Sequence, residues 1–165
     1  MVERMHADTE LEDTQTRLSR ITLGIVHDPL TGLRSHMGLL DEIARDPLLA
    51  GRVDTHTSII VSVRLPAGDT DKILALVGMR ISRSIRAGDT AAHLGSGEFV
   101  VIVADDADVP IRTAVRLKLA LSFPYVIDGD DVSVHYKIGF ARLQRDNLLC
   151  RSKVPVETSK LLRRP

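Results

Sequence analysis

At 165 residues, with 22 lysines and arginines balanced by 22 aspartates and glutamates, the chain has room for one domain and a short extension. The balance also leaves no net field to draw it to nucleic acid or to an acidic membrane surface. Apolar residues at 44% and charged residues at 27% exclude a disordered chain, and Cys150, the one cysteine, excludes an intrachain disulfide or a cysteine-based zinc cluster.

A reducing cytoplasm fits that cysteine usage. The first residues, Met1 to Thr14, are polar and acidic, unlike a secretory signal, and no apolar run approaches the roughly 18 residues of a membrane span. A soluble, cytoplasmic chain with an aliphatic core is the expectation.

Leu11, Leu18, Ile21 and Ile25 recur at spacings of seven, three and four, one stripe of a helix. Two readings stay open for it, a short coiled coil and a helix packed on its own domain. Asp28-Pro29-Leu30-Thr31-Gly32-Leu33 is a turn. A helix follows, with Met37, Leu40, Ile43 and Ala44 on its apolar face and Pro47 near its end.

Ser58 to Leu65 reads as a strand whose nearly continuous apolar run suits the interior of a sheet. Thr70 to Ile85 has helical spacing, with Gly88 in Arg86-Ala87-Gly88-Asp89 as the stop. Thr90–Leu94 and Phe99–Ala104 flank Gly95-Ser96-Gly97-Glu98 as a β-hairpin. A helix spans Val109 to Ser122, capped by Asp108 and with Pro110 in its first turn. Tyr125–Ile127 and Val132–Leu143 read as a second hairpin joined through Asp128-Gly129-Asp130-Asp131. In the last residues a short helix over Val156–Leu162 competes with disorder.

Three of these segments, in this order, resemble the GGDEF domain family. Asp28 to Leu33 is similar to its D-x-L-T-G-L entry motif, Arg86 to Asp89 matches R-x-x-D, and Leu94-Gly95-Ser96-Gly97-Glu98-Phe99 stands in place of L-G-G-D-E-F. Arg86 lies nine residues before Gly95, as the family's spacing has it. Tyr136-Lys137-Ile138-Gly139-Phe140-Ala141 resembles the S-I-G-I-A strand. The resemblance implies an α/β, nucleotidyl cyclase-like fold: a central mixed β-sheet flanked by helices, with an N-terminal helix. It divides the chain into an N-terminal helix or coiled-coil linker (1–26), a degenerate GGDEF domain (27–143) and a C-terminal tail (144–165).

Active members condense two GTP molecules into cyclic di-GMP, using divalent metal to neutralise phosphate charge and acidify the attacking hydroxyl. Against that pattern, Ser62 stands at the metal-binding aspartate, Arg64 at the second acidic position and Gly97 at the third signature position. Ser96 replaces the second signature glycine, while Glu98 and Phe99 remain. The guanine-reading loop is missing between Pro66 and Thr70, although Asp71 matches one of its aspartates or is an ordinary acidic residue in a helix's first turn. The phosphate-binding lysine and arginine have no counterpart in Arg142 to Pro165. His93 and His36 stand where the family has arginines, and with His27 and His56 they show no metal-ligand spacing.

The resemblance therefore implies an inactive domain with no cofactor, no metal and no catalytic residue, acting as a regulatory protein-interaction module, as a homodimer or with a protein partner through the N-terminal helix. The alternative is a cyclic di-GMP receptor through Arg86 and Asp89, helped by Arg116 or Arg112, and a remote third is a residual cyclase. The competing reading of Arg86 and Asp89 is a surface ion pair at a helix end.

Overall fold

The computed structural model describes residues 26–55, 57–65, 68, 70–103 and 109–142. The expected N-terminal helix, the Asp108 cap and the C-terminal tail lie outside them. In chain order the elements are β1 (Arg34–Ser35), α1 (His36–Arg45), α2 (Pro47–Thr55), β2 (Thr57–Arg64), α3 (Thr70–Ser84), β3 (Thr90–Gly95), β4 (Glu98–Ile102), α4 (Val109–Ser122), β5 (Tyr125–Ile127), β6 (Asp130–Val132) and β7 (His135–Arg142).

Five strands form one mixed sheet in the order β1-β3-β4-β2-β7, with β1 parallel to β3 and the other pairs antiparallel. The apolar run of β2 is explained by its place between β4 and β7 with both faces covered. Ile59, Val61 and Val63 face α3 and α4, meeting Ile73, Val77, Ile81, Leu117 and Leu121. Ile60 faces the other way, toward Leu39 and Ile43 of α1 and Leu49 of α2. The alternation of period two along the strand thus feeds two separate aliphatic cores.

Three local expectations are corrected, and a fourth, Pro47 near the end of α1, is extended. Helix α1 buries Leu39 and Ile43, while Met37 is 60% exposed and Ala44 lies in solvent. The Leu39–Ile43 step meets Ala92, Val100 and Ile102 of the sheet, and that packing sets the helix's rotation. Pro47 opens a helix: the Asp46 carboxylate accepts from the amides of Leu48 (2.8 Å) and Leu49 (3.3 Å), and proline fits the first helical position.

Gly88 does not terminate α3 in a left-handed conformation; its φ is not positive. The turn after the helix is closed by Asp89, whose carboxylate accepts from the Arg86 amide at 2.9 Å and whose own amide bonds the Arg86 carbonyl at 3.0 Å. Finally, Val132–Leu143 is not one hairpin strand. Asp128 and Gly129, with φ of 53° and 94°, make a tight two-residue turn that pairs β5 with β6, and the chain then leaves to form β7 at the edge of the main sheet against β2.

Candidate functional site

The glycine-rich hairpin between β3 and β4 is built around a two-residue turn. Gly95 pairs with Glu98, and Ser96 and Gly97 between them have φ of 52° and 78°, the positive pair that an I′-type turn requires. A bulge between His93 and Gly95 aims the turn. Gly97 is buried against the end of β2: its carbonyl accepts from the Val63 amide at 2.8 Å, and a Cβ placed on it would lie 2.6 Å from the Val63 carbonyl oxygen. The position expected to carry an acidic side chain has no room for one in this backbone.

Beside the turn, Ser62 is paired across β4 with Glu98 and across β7 with Lys137. Directly paired residues project to the same face, so Glu98, Ser62 and Lys137 form one row, with Cβ atoms roughly 5 Å apart. It lies on the Ile60 face, and Arg64 with its partner His135 forms the next row on that face. Glu98, Lys137, Arg64 and His135 are all exposed, making an open polar ledge with one carboxylate, one ammonium and one guanidinium. Hard divalent cations need several oxygen ligands, commonly including one or two carboxylates. Ser62, Glu98 and Lys137 do not fit a Mg²⁺ site, and among the described residues no three His, Cys, Asp or Glu side chains converge on one.

Arg86 and Asp89 are brought together by the turn after α3, but through the Arg86 backbone amide. Arg86 itself is exposed. Arg116 lies on α4, its guanidinium donating to Thr113 Oγ1 at 3.1 Å along its own helix and its Nε buried without a hydrogen-bond partner. Arg112 is exposed on the same helix, and Asp71 is exposed in the first turn of α3. Phe99 is fully buried in the core, as its place on β4 requires.

Sequence reasoning missed a network that ties the entry turn to this hairpin. Asp28 Oδ2 meets His93 Nδ1 at 2.5 Å and accepts from the Thr31 hydroxyl at 2.7 Å, while Oδ1 accepts from the Leu30 amide. Burial raises the Asp28 pKa; the bonds from Thr31, His93 and Leu30, with the charge of His93, outweigh it and leave the carboxyl below its ordinary 3.8. His93 also stacks on Phe99, ring centroids 4.7 Å apart, which couples the pair to the first residue beyond Glu98. The signal in the sequence was a histidine at an arginine position opposite a turn aspartate.

A second missed residue is Arg80. Its guanidinium donates to the carbonyls of Ala120 (3.1 Å), Phe123 and Pro124 (2.5 Å each) and lies 3.7 Å over the Tyr125 ring. One side chain of α3 thereby caps α4 and fixes the start of the small β5–β6 hairpin.

A family model described as "Diguanylate cyclase, GGDEF domain" matches residues 67–152. Diguanylate cyclase TpbB of Pseudomonas aeruginosa is 30% identical over 149 residues, which cover 80% of this chain and 34% of that protein. The chain thus spans about a third of the length of this relative. Among solved structures, the coiled coil and GGDEF domain of DgcB from Caulobacter crescentus, in complex with c-di-GMP, matches with a TM-score of 0.65 and 20% identity over 88% of this chain and 84% of that one. Diguanylate cyclase SiaD of Pseudomonas aeruginosa, in complex with its activator SiaC, matches with a TM-score of 0.60 and 17% identity over 87% of this chain and 61% of that one. No helix among the described residues is long and apolar enough to cross a membrane.

Proposed function

The chain belongs to the GGDEF domain family, and from that premise we propose that it is a catalytically inactive member, working as a regulatory protein-interaction module in bacterial cyclic di-GMP-type signalling in the cytoplasm. The observation that supports this reading is the pairing of Ser62 with Glu98 and Lys137 beside a Gly97 that has no space for a side chain. Joining two nucleoside triphosphates demands metal-held phosphates, and this ledge offers a single carboxylate among cations. Arg64 and Lys137 can attract phosphate, but attraction without a bound metal supplies neither an acidified hydroxyl nor a neutralised leaving group.

The test is incubation with GTP and Mg²⁺ or Mn²⁺, followed by chromatography of the nucleotides. No cyclic di-GMP is expected. Product that forms and is abolished by Glu98→Ala overturns the reading in favour of a residual cyclase.

A second reading, a cyclic di-GMP receptor, draws on the exposed Arg86 beside Asp89. A guanidinium forks onto phosphate or the guanine Hoogsteen edge, and a carboxylate accepts from guanine N–H groups. Against it, one Asp89 oxygen already holds the Arg86 amide, and Arg116 is turned onto Thr113. Calorimetric titration with cyclic di-GMP separates the two: micromolar binding lost in Arg86→Ala establishes the receptor, and no heat at high protein concentration leaves the interaction module.

A further inference from the structure

The entry turn is wedged into the domain from several sides. Gly38 of α1 has no Cβ to hold off the Val26 carbonyl, and Gly78 of α3 has none to hold off Thr31. β1, which follows the turn, runs parallel to β3 with Ser35 in register with His93. At the centre the Asp28 carboxylate and the His93 imidazole meet at 2.5 Å, their side chains only 17% and 10% exposed. The other ring nitrogen, His93 Nε2, is buried with no hydrogen-bond partner among the described residues.

We propose that this pair is a pH-sensitive latch between the entry turn and the signature hairpin, closed while His93 carries its second proton and loosened once it is neutral. An imidazole ordinarily changes charge between pH 5 and pH 8, as no other common side chain does. With both nitrogens protonated, Nδ1–H donates to Asp28 between full charges, in a setting too buried for salt to screen them. The Nε2 proton has no acceptor there, so nothing but Asp28 retains it. Its loss leaves a neutral ring still donating through Nδ1, while the buried carboxylate loses its counter-charge and keeps only the Thr31 hydroxyl and the Leu30 amide beside it. Relief comes when Asp28 reaches water, which opens the turn. On the other side, the stack of His93 on Phe99 and the bulge between His93 and Gly95 carry the change into the hairpin.

The neighbouring charges are engaged elsewhere. Arg34 of β1 is paired with Glu42 of α1 at 2.9 Å, and Arg45 of α1 with Asp41. On α3, Lys72 is paired with Asp128, Arg80 is held by the carbonyls of Ala120, Phe123 and Pro124, and Asp71 and Arg83 are exposed. Glu98 of β4 projects to the opposite face of the sheet from Phe99. The other imidazoles on these elements are His27, bridged to Arg34, and His36, which opens α1. Of all these groups, His93 is the one whose charge acts on the Asp28 carboxyl. The latch operates whether or not GTP is turned over.

Hydrogen–deuterium exchange of the full 165-residue chain at pH 5.5 and pH 8, corrected for the intrinsic pH dependence of amide exchange, tests it. Opening of peptides covering the entry turn (27–34) and the hairpin (92–99) is expected to be roughly tenfold greater at pH 8, while peptides of α4 stay unchanged. Asp28→Asn and His93→Gln should each abolish that dependence and leave both segments open at either pH, whereas His27→Gln and His36→Gln should preserve it. Nitrogen-15 spectra of the wild-type imidazoles need no variant: His93 should show both ring nitrogens protonated at pH 5.5 and only Nδ1 protonated at pH 8. A wild-type ratio below about twofold overturns the proposal and leaves the pair a fixed packing contact. So does a dependence that persists in Asp28→Asn or His93→Gln, or a His93 that keeps one protonation state across the range.

Discussion

Gly97→Ala should destabilise the domain by about 2 kcal/mol more than Gly32→Ala, although both glycines have nearly the same backbone conformation. Their φ values are 78° and 71°, so the left-handed penalty of about 1–2 kcal/mol applies to each. They differ in their surroundings. A Cβ on Gly32 meets nothing within 4 Å, while one on Gly97 would approach the Val63 carbonyl oxygen to 2.6 Å and the Leu65 side chain to 3.4 Å. The Val63 oxygen belongs to the strand backbone and cannot swing aside, and the 2.8 Å bond from the Val63 amide to Gly97 holds the hairpin in place. Overpacking of this kind costs about 1–3 kcal/mol, which brings the Gly97 variant to roughly 3 kcal/mol in total. Urea unfolding followed by circular dichroism reads the difference as a midpoint shift of about 1 M between the two variants. Equal midpoints would refute the reasoning, because they would mean that β2 yields. Gly97→Asp, which restores the acidic signature position, should be at least as costly as Gly97→Ala for the same reason.

Gly78→Ala should reverse the usual sign: an exposed helical glycine gains about 1 kcal/mol on becoming alanine, but here the new Cβ would lie 2.6 Å from Thr31 Cβ and 2.7 Å from its carbonyl oxygen, and a loss of about 2 kcal/mol is expected in a thermal melt. Asp28 has a pKa below 3.8 in the folded chain, so the stability it contributes is fully present above that unfolded value and is lost as pH falls through the folded one; Asp28→Asn should flatten that acid limb in urea melts between pH 5 and pH 2. Arg80→Met should cost about 2 kcal/mol by freeing three carbonyls and uncovering Tyr125, and Arg80→Lys should recover little, since an ammonium lacks the planar fork that spans those carbonyls and stacks on the ring.

The strands and long helices were legible because their signals are local and redundant. β2 announces itself by a run of β-branched residues, α3 and α4 by their four-residue steps, and the hairpin by Gly95 to Gly97 between apolar stretches. Helix α2 was equally legible in principle, since an aspartate followed by proline is a start signal as much as a stop; reading Pro47 only as a terminator hid it. The division of Val132–Leu143 was not legible. Strand pairing is a long-range choice, and nothing near Ser133 and Val134 says that the next residue will leave Tyr125's hairpin for β2.

By itself the amino-acid sequence determined the α/β class and the succession of β2, α3, the β3–β4 hairpin and α4, because these follow from periodicity, turn chemistry and spacing along the chain. The resemblance to the GGDEF family's motifs then put Ser62, Gly97, Arg86 and Asp89 at their positions in the pattern. Only the tertiary structure decided what these residues meet: that Ser62 lies between Glu98 and Lys137, that Gly97 is sealed by the Val63 carbonyl, that Asp89 spends an oxygen on its own turn, and that Asp28 reaches across 65 residues to His93. The physical reason is the same in each case. Register between strands and contact between distant side chains are settled by the packing of whole elements, which bury two aliphatic cores on opposite faces of one sheet.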